Sequence, residues 1–156
     1  MSQRFGDNTP VVKVELKRMS VPELISGDAV LAASPVVKLL GAPLMSKGTL
    51  RRFPDKVVLL QQGDAGDSLF VVMAGDVRLF ARRDADSAEL GTVHRGDAFG
   101  EGEVLAGAGG RRCSAVAQGQ VDVLELPRAL LVVGAGLPAT LAAHLKQLEG
   151  QRMKAL

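Results

Sequence analysis

Aromatic side chains are scarce: the 156 residues include five Phe and neither Trp nor Tyr. Platforms on which exposed bases could stack are therefore few, which counts against single-stranded nucleic acid as the main ligand. Cys113 is the only cysteine, which excludes an internal disulfide framework and any multi-cysteine metal site. Net charge is almost lacking as well. Nineteen Lys and Arg against 17 Asp and Glu leave +2, with the two signs interspersed, too little to imply a polyanionic partner. No apolar run is long enough for a membrane span, since the strongest, Ala129 to Leu137, is short and holds two glycines. The polar start, Met1 to Asn8, has no signal-peptide apolar region, so a cytoplasmic location is expected.

Val, Leu and Ala are plentiful, and a chain of this length fits one domain that buries roughly two-thirds of its unfolded surface. Residues 1 to 10 read as a polar tail. Val11 to Leu16 alternates apolar and charged side chains, as a half-buried strand or extended arm would. Ser20 and Pro22 form a helix start, with Ser20 as the cap. From Asp28 to Leu40 apolar residues recur at helical spacing, and Ser34-Pro35 splits the stretch into two short helices that Gly41, Ala42 and Pro43 bring to an end.

From Leu50 the texture changes to short apolar runs: Val57 to Leu60, Ser68 to Met73, Val77 to Ala81, Leu90 to His94, Ser114 to Ala117 and Val121 to Leu126. Turn residues separate them, including Gly63 to Asp67, Ala74 to Asp76 and a longer polar loop at Asp84 to Ser87. Six or more such runs indicate an antiparallel barrel or jelly roll. After Pro127 helical patterning returns. Leu141, Ala142, Leu145 and Leu148 form one stripe, which suits packing against this domain or a partner.

The stretch from Phe99 to Val116 carries the chemistry. It contains Phe99-Gly100-Glu101, a glycine-rich run and Arg111-Arg112-Cys113-Ser114-Ala115-Val116. Helix-start amides, a carboxylate and an arginine within about a dozen residues can hold a small phosphate bearing a hydroxylated group. The same Glu and Arg can also simply pair with each other on a loop. Most other arginines and lysines read as solvated surface.

Three matches together resemble the cyclic-nucleotide-binding domain family, over roughly Leu50 to Leu126. They are Phe53 to Leu79 (F-P-D-K-V-V-L-L-Q-Q-G-D-A-G-D-S-L-F-V-V-M-A-G-D-V-R-L), Gly96-Asp97-Ala98-Phe99-Gly100-Glu101, and Arg112-Cys113-Ser114-Ala115-Val116. The resemblance implies a mainly β fold with flanking helices: an eight-stranded antiparallel jelly-roll β-barrel with N-terminal helices and C-terminal lid or hinge helices. It divides the chain into an arm and helices at 1–47, the barrel with its phosphate-binding cassette (99–116) at 48–127, and C-terminal helices at 128–156. It implies ligand contacts at Gly100, Glu101, Arg112, Cys113 and Ser114. Glu101 would accept from the ribose hydroxyl, and Arg112 would fork onto the phosphate in a way lysine cannot reproduce. At Cys113 the amide would contribute more than the thiol, which is a weak donor. A reactive thiol, its pKa lowered by the neighbouring arginines, is the other reading of Cys113.

The cassette departs from the family at Gly102-Glu103 and in the loop Ala106 to Gly110, about two residues longer than usual. Gly102 weakens the short helix by roughly 1 kcal/mol relative to Ala. Glu103 brings negative charge to an anion site. The expected function is a stand-alone cAMP or cGMP sensor, not an enzyme and without a cofactor. It would signal to a protein partner or form a homodimer through its C-terminal helices, with Gly134 and Gly136 as the hinge and Leu141, Leu145 and Leu148 as the contact. No helix-turn-helix follows, so nucleic acid is not an expected partner. The alternative is a degenerate domain that serves as an interaction or scaffold module without nucleotide. A cupin-type metal enzyme would need two or three strand histidines, and the chain has only His94 and His144.

Overall fold

The computed structural model describes residues 12–13, 20–107 and 109–154. The first helix, Val21–Ser26 (α1), starts as its sequence dictates: the Ser20 hydroxyl accepts from the Glu23 amide at 3.4 Å, and Pro22 sits in the first turn. Asp28 caps Ala29–Ala33 (α2), and Ser34 both ends that helix and caps Pro35–Leu40 (α3), so the split at Ser34-Pro35 is real. Gly41, Ala42 and Pro43 do not end the helical unit. Gly41 instead precedes a fourth short helix, Ala42–Met45 (α4), because Pro43 lies in its first turn, where no amide is needed.

Of the expected strand Val11 to Leu16, Val12–Lys13 (β1) is described and pairs antiparallel with Thr49–Phe53 (β2). The rest of it, like the tail of residues 1 to 10, lies outside the described residues. The remaining strands are Val58–Leu60 (β3), Leu69–Arg83 (β4), Asp86–Val93 (β5), Ala98–Phe99 (β6) and Ser114–Leu126 (β7). The sheet runs β1-β2-β7-β4-β5, with β3 also on β7 and β6 on β4, and every pairing is antiparallel. The mainly β class with flanking helices therefore stands. The described residues form a seven-stranded sheet, not a closed eight-stranded barrel.

Four of the expected runs merge into two long strands. Ser68 to Met73 and Val77 to Ala81 become β4, because Gly75 takes φ 85° and the ladder passes through the bend with register shifts. A Cβ at Gly75 would collide with the Gln120 carbonyl. Ser114 to Ala117 and Val121 to Leu126 likewise join as β7 through Gly119, at φ 76°. The polar loop expected at Asp84 to Ser87 shrinks to two residues, since Arg83 already pairs with Asp86. Asp84 holds φ 58° there, a conformation that Asp tolerates. Strand β2, absent from the sequence reading, is tied to β7 by Arg51–Glu125 and Arg52–Asp122 ion pairs at 2.8 and 2.7 Å.

Two apolar layers flank the long strands. Phe53, Phe70, Val72, Leu79, Phe99 and Val123 fill the interior of the roll. On the other face Leu69, Val71 and Leu124 meet the helices, including Val104 of Glu101–Ala106 (α5), Leu131 of Arg128–Leu131 (α6) and Leu141 and Leu145 of Ala139–Met153 (α7). The C-terminal stripe is therefore not a free contact for a partner. Leu141 and Leu145 are buried in this domain's own core, and Leu148 packs against it. Among the described residues no helix is long and apolar enough to cross a membrane.

Candidate functional site

Strand β6 delivers the cassette. Phe99 pairs with Phe70 of β4, and their rings stack at 5.1 Å. Gly100 then turns the chain into α5 at φ 85°. A side chain there would be strained, and its Cβ would lie 2.7 Å from the Ser68 carbonyl and 3.1 Å from Arg111 Nη1. Helix α5 ends at Gly107, again left-handed. Loop residues 63–66 clamp the far end of the cassette: the Arg111 amide donates to Asp64 O at 2.7 Å, and its carbonyl accepts from the Gly63 amide at 2.8 Å.

In the bend that leads into β7, the two neighbouring arginines face opposite ways. Arg111 points inward. Its side chain is 5% exposed; Nη1 donates to Ser68 O at 3.1 Å and lies 3.6 Å from Glu103 Oε2, while the guanidinium carbon sits 5.6 Å from the Phe70 ring centre. Arg112 points outward, 48% exposed, with Nη1 2.9 Å from Glu149 Oε2 on α7. That approach is misaligned for a hydrogen bond, so the buried Glu149 oxygen has an ionic neighbour without a hydrogen-bond partner. The Arg112 amide donates to Glu103 Oε1.

Glu101 and Arg112 do not pair with each other. Glu101 is bound by Arg152, also from α7, in an almost fully buried ion pair. Burial raises the Glu101 pKa above the usual carboxylate range, and the Arg152 charge works against that rise. Gly102 acquires a reason here. A Cβ at this position would collide with the Glu149 carboxylate and lie 2.8 Å from Arg112 Cδ, so the glycine that weakens α5 also lets α7 dock on it. Glu103 does not point away from the site; it turns into it.

Cys113 is half-buried, and its thiol is pushed up to about 12, first by burial and then by the Glu101 and Glu103 carboxylates. That direction runs against the reactive-thiol reading, because desolvation and like charge outweigh the nearby arginines. The Ser114 hydroxyl accepts from the Gln62 amide at 2.9 Å. A cavity of about 270 Å³ lies beside Arg111, lined also by Leu59, Asp64, Gly66, Ser68 and Glu125. None of Gly100, Glu101, Arg112, Cys113 or Ser114 lines it. Among the described residues no group of three or more His, Cys, Asp or Glu could hold a metal ion, and His94 is an exposed residue 2.7 Å from Asp76.

Sequence reasoning did not pick out Arg111, Glu103, Glu149 and Arg152 as a connected set. The doubled arginine marks the place but not which member turns inward, because the two lie in a bend ahead of β7 and not on a strand with alternating faces. The α7 residues gave no signal, because their partners lie some fifty and forty positions away along the chain.

Comparison with known proteins agrees with this architecture. The catabolite activator protein of Thermus thermophilus is 29% identical with a TM-score of 0.63, over 78% of this chain and 59% of that one, so this chain spans about three-fifths of that relative. The N-terminal domain of a transcriptional regulator from Streptomyces coelicolor A3(2) is 25% identical with a TM-score of 0.58, covering 83% of this chain and 87% of that one. The regulatory domain of Toxoplasma gondii PKA, solved with cAMP, shares the fold at 19% identity and a TM-score of 0.60, over 82% and 48% of the two chains. No curated protein matches significantly. The sequence model described as "Cyclic nucleotide-binding domain" matches residues 50–132, more than half of the chain. That match spans the left-handed glycine, the cassette helix and the two arginines that precede β7, and the chain belongs to the cyclic nucleotide-binding domain family.

Proposed function

We propose that this domain is a cyclic-nucleotide sensor, for cAMP or cGMP, that reports occupancy of its cassette through helix α7. The observation that carries this reading is the pair of ionic links from α7 to the cassette, Arg152 to Glu101 and Glu149 to Arg112. A ribose hydroxyl donating to Glu101 perturbs the first link, and a ligand drawing on Arg112 perturbs the second. Binding at the cassette therefore changes how firmly α7 is held. The segment between α6 and α7 contains Gly134 at φ 63° and the exposed Val133, which suits it to absorb a pivot. If α7 swings out, Leu141 and Leu145 leave the core and become apolar surface for a partner protein or a second copy.

The family register gives the phosphate to Arg112, with Gly100, Cys113 and Ser114 alongside. The geometry favours Arg111 for the phosphate, since it faces the roll interior beside Gly100, and leaves Arg112 to hold α7. A scaffold role without nucleotide is the second reading. It is favoured by the pairing of Arg111, Arg112 and Arg152 with three glutamates.

Thermal denaturation with and without cAMP and cGMP separates the two readings. A ligand at about 100 times its Kd stabilises the native state by about 2.7 kcal/mol, a shift of several degrees for a domain of this size. No shift and no calorimetric heat with either nucleotide would overturn the sensor. If binding is seen, Arg111→Ala should remove most of the affinity. Full affinity in that variant, with loss in Arg112→Ala, would return the phosphate to Arg112.

A further inference from the structure

Resting on the nucleotide-binding reading above, we propose that Glu103 is this chain's own stand-in for the ligand phosphate, and that it sets the affinity of the site for charged ligands. Glu103 lies on α5 with its side chain 4% exposed, and its two oxygens reach two donors of the doubled arginine. Oε2 is 3.6 Å from the Arg111 guanidinium, and Oε1 accepts from the Arg112 amide. A guanidinium and a neighbouring backbone amide are the donor set that two phosphate oxygens would take. A carboxylate, with one negative charge shared by two oxygens, imitates a singly charged phosphodiester at that spot.

The Arg111 guanidinium is held from three sides: Glu103, the Ser68 carbonyl and the face of Phe70. Gly66 and Gly100 are shaped around it, since a Cβ at either would come within 3.1 Å of the guanidinium. The cation is therefore fixed in place and already partly neutralised before any ligand arrives. A phosphate reaching Arg111 must either displace Glu103 or share one buried cation with it, and two anions on one buried cation repel. Glu103 thus weakens the binding of charged ligands while leaving uncharged nucleosides unaffected.

The test compares the wild type with Glu103→Gln, which keeps an oxygen acceptor for the Arg112 amide and removes the charge. Both proteins are titrated calorimetrically with cAMP and with adenosine, which has the base and ribose but no phosphate. Glu103→Gln should bind cAMP about tenfold or more tightly and adenosine unchanged. Without ligand the variant should melt lower than the wild type, because Arg111 loses its counter-charge, and cAMP should raise its melting temperature by more. Glu103→Asp, which keeps the charge but withdraws it by one methylene, should show a smaller gain and serves if the Gln variant does not fold. Wild-type binding of cAMP with no gain in either variant would overturn the role of Glu103 and leave the sensor reading standing. Equal gains for cAMP and adenosine would mean that Glu103 shapes the cassette and does not mimic phosphate. No cAMP binding by any of the three proteins would overturn both this inference and the reading it rests on.

Discussion

The interior of the roll and the seam between α5 and α7 are both buried, yet they are built from different materials. Around Phe70 the roll is hydrocarbon: Phe53, Val72, Leu79, Phe99 and Val123 are almost fully removed from water. The seam combines Val104, Leu141 and Leu145 with the Glu101–Arg152 and Arg112–Glu149 pairs. Hydrocarbon burial is indifferent to pH and to charged ligands, whereas a buried ion pair is held by a fine balance of desolvation and attraction. The hydrocarbon of the roll is therefore the fixed half of the molecule, and the seam is the half whose stability depends on charge.

The largest expected effect breaks the fixed half. Phe70→Ala removes a fully buried ring, its stack on Phe99 and the surface under Arg111, and should cost about 4 kcal/mol in urea unfolding. That loss should be the same at pH 5 and pH 8. A strong pH dependence would mean that the roll, too, is governed by charge.

Arg152→Ala strikes the seam and should cost about 3 kcal/mol at pH 8, because it leaves the Glu101 carboxylate buried without its partner. The pH dependence has a definite sign. Burial raises the folded pKa of Glu101 above its ordinary value of 4.5, so its contribution to stability is greatest below that value and is lost as pH rises through the folded pKa. Removing Arg152 removes a charge that lowers this pKa and so pushes it higher still. The variant should accordingly lose less stability at pH 5 than at pH 8. An equal loss at both would show that Arg152 acts through packing and not through the carboxylate.

This contrast also marks what could be read in the sequence. The roll was legible because its signals are local: alternating apolar runs and Gly-Asp turns each act within a few residues, as does the Ser20 cap that starts α1. The strand breaks at Gly75 and Gly119 were misplaced, since a glycine that bends a strand and one that ends it look alike in sequence. Strand β2 was missed because Arg51 and Arg52 interrupt its apolar pattern, and their partners Glu125 and Asp122 are far along the chain. The Phe99 to Val116 motif stands out in the sequence, but the inward face of Arg111, the turn of Glu103 into the site and the claim of α7 on Glu101 depend on packing across long separations. Gly102 shows the limit well. Within α5 it looks like a defect, and only the docked α7 gives it a purpose.

The smallest effect tests whether the seam is uniform. Arg112 is about half exposed, and its pair with Glu149 is misaligned as a hydrogen bond, so solvent screens much of the attraction. A double-mutant cycle of Arg112→Ala and Glu149→Ala should give a coupling of about 0.5 kcal/mol, falling further in high salt. The corresponding cycle at Glu101 and Arg152 should give a coupling several times larger and less sensitive to salt, because that pair is almost fully buried. The gradient matters for the proposed switch. A weak outer link can open first, leaving α7 held by the inner pair, on the carboxylate that a ribose hydroxyl would approach. A coupling at Arg112–Glu149 as large as the inner one would remove that order and make the seam open as a single unit.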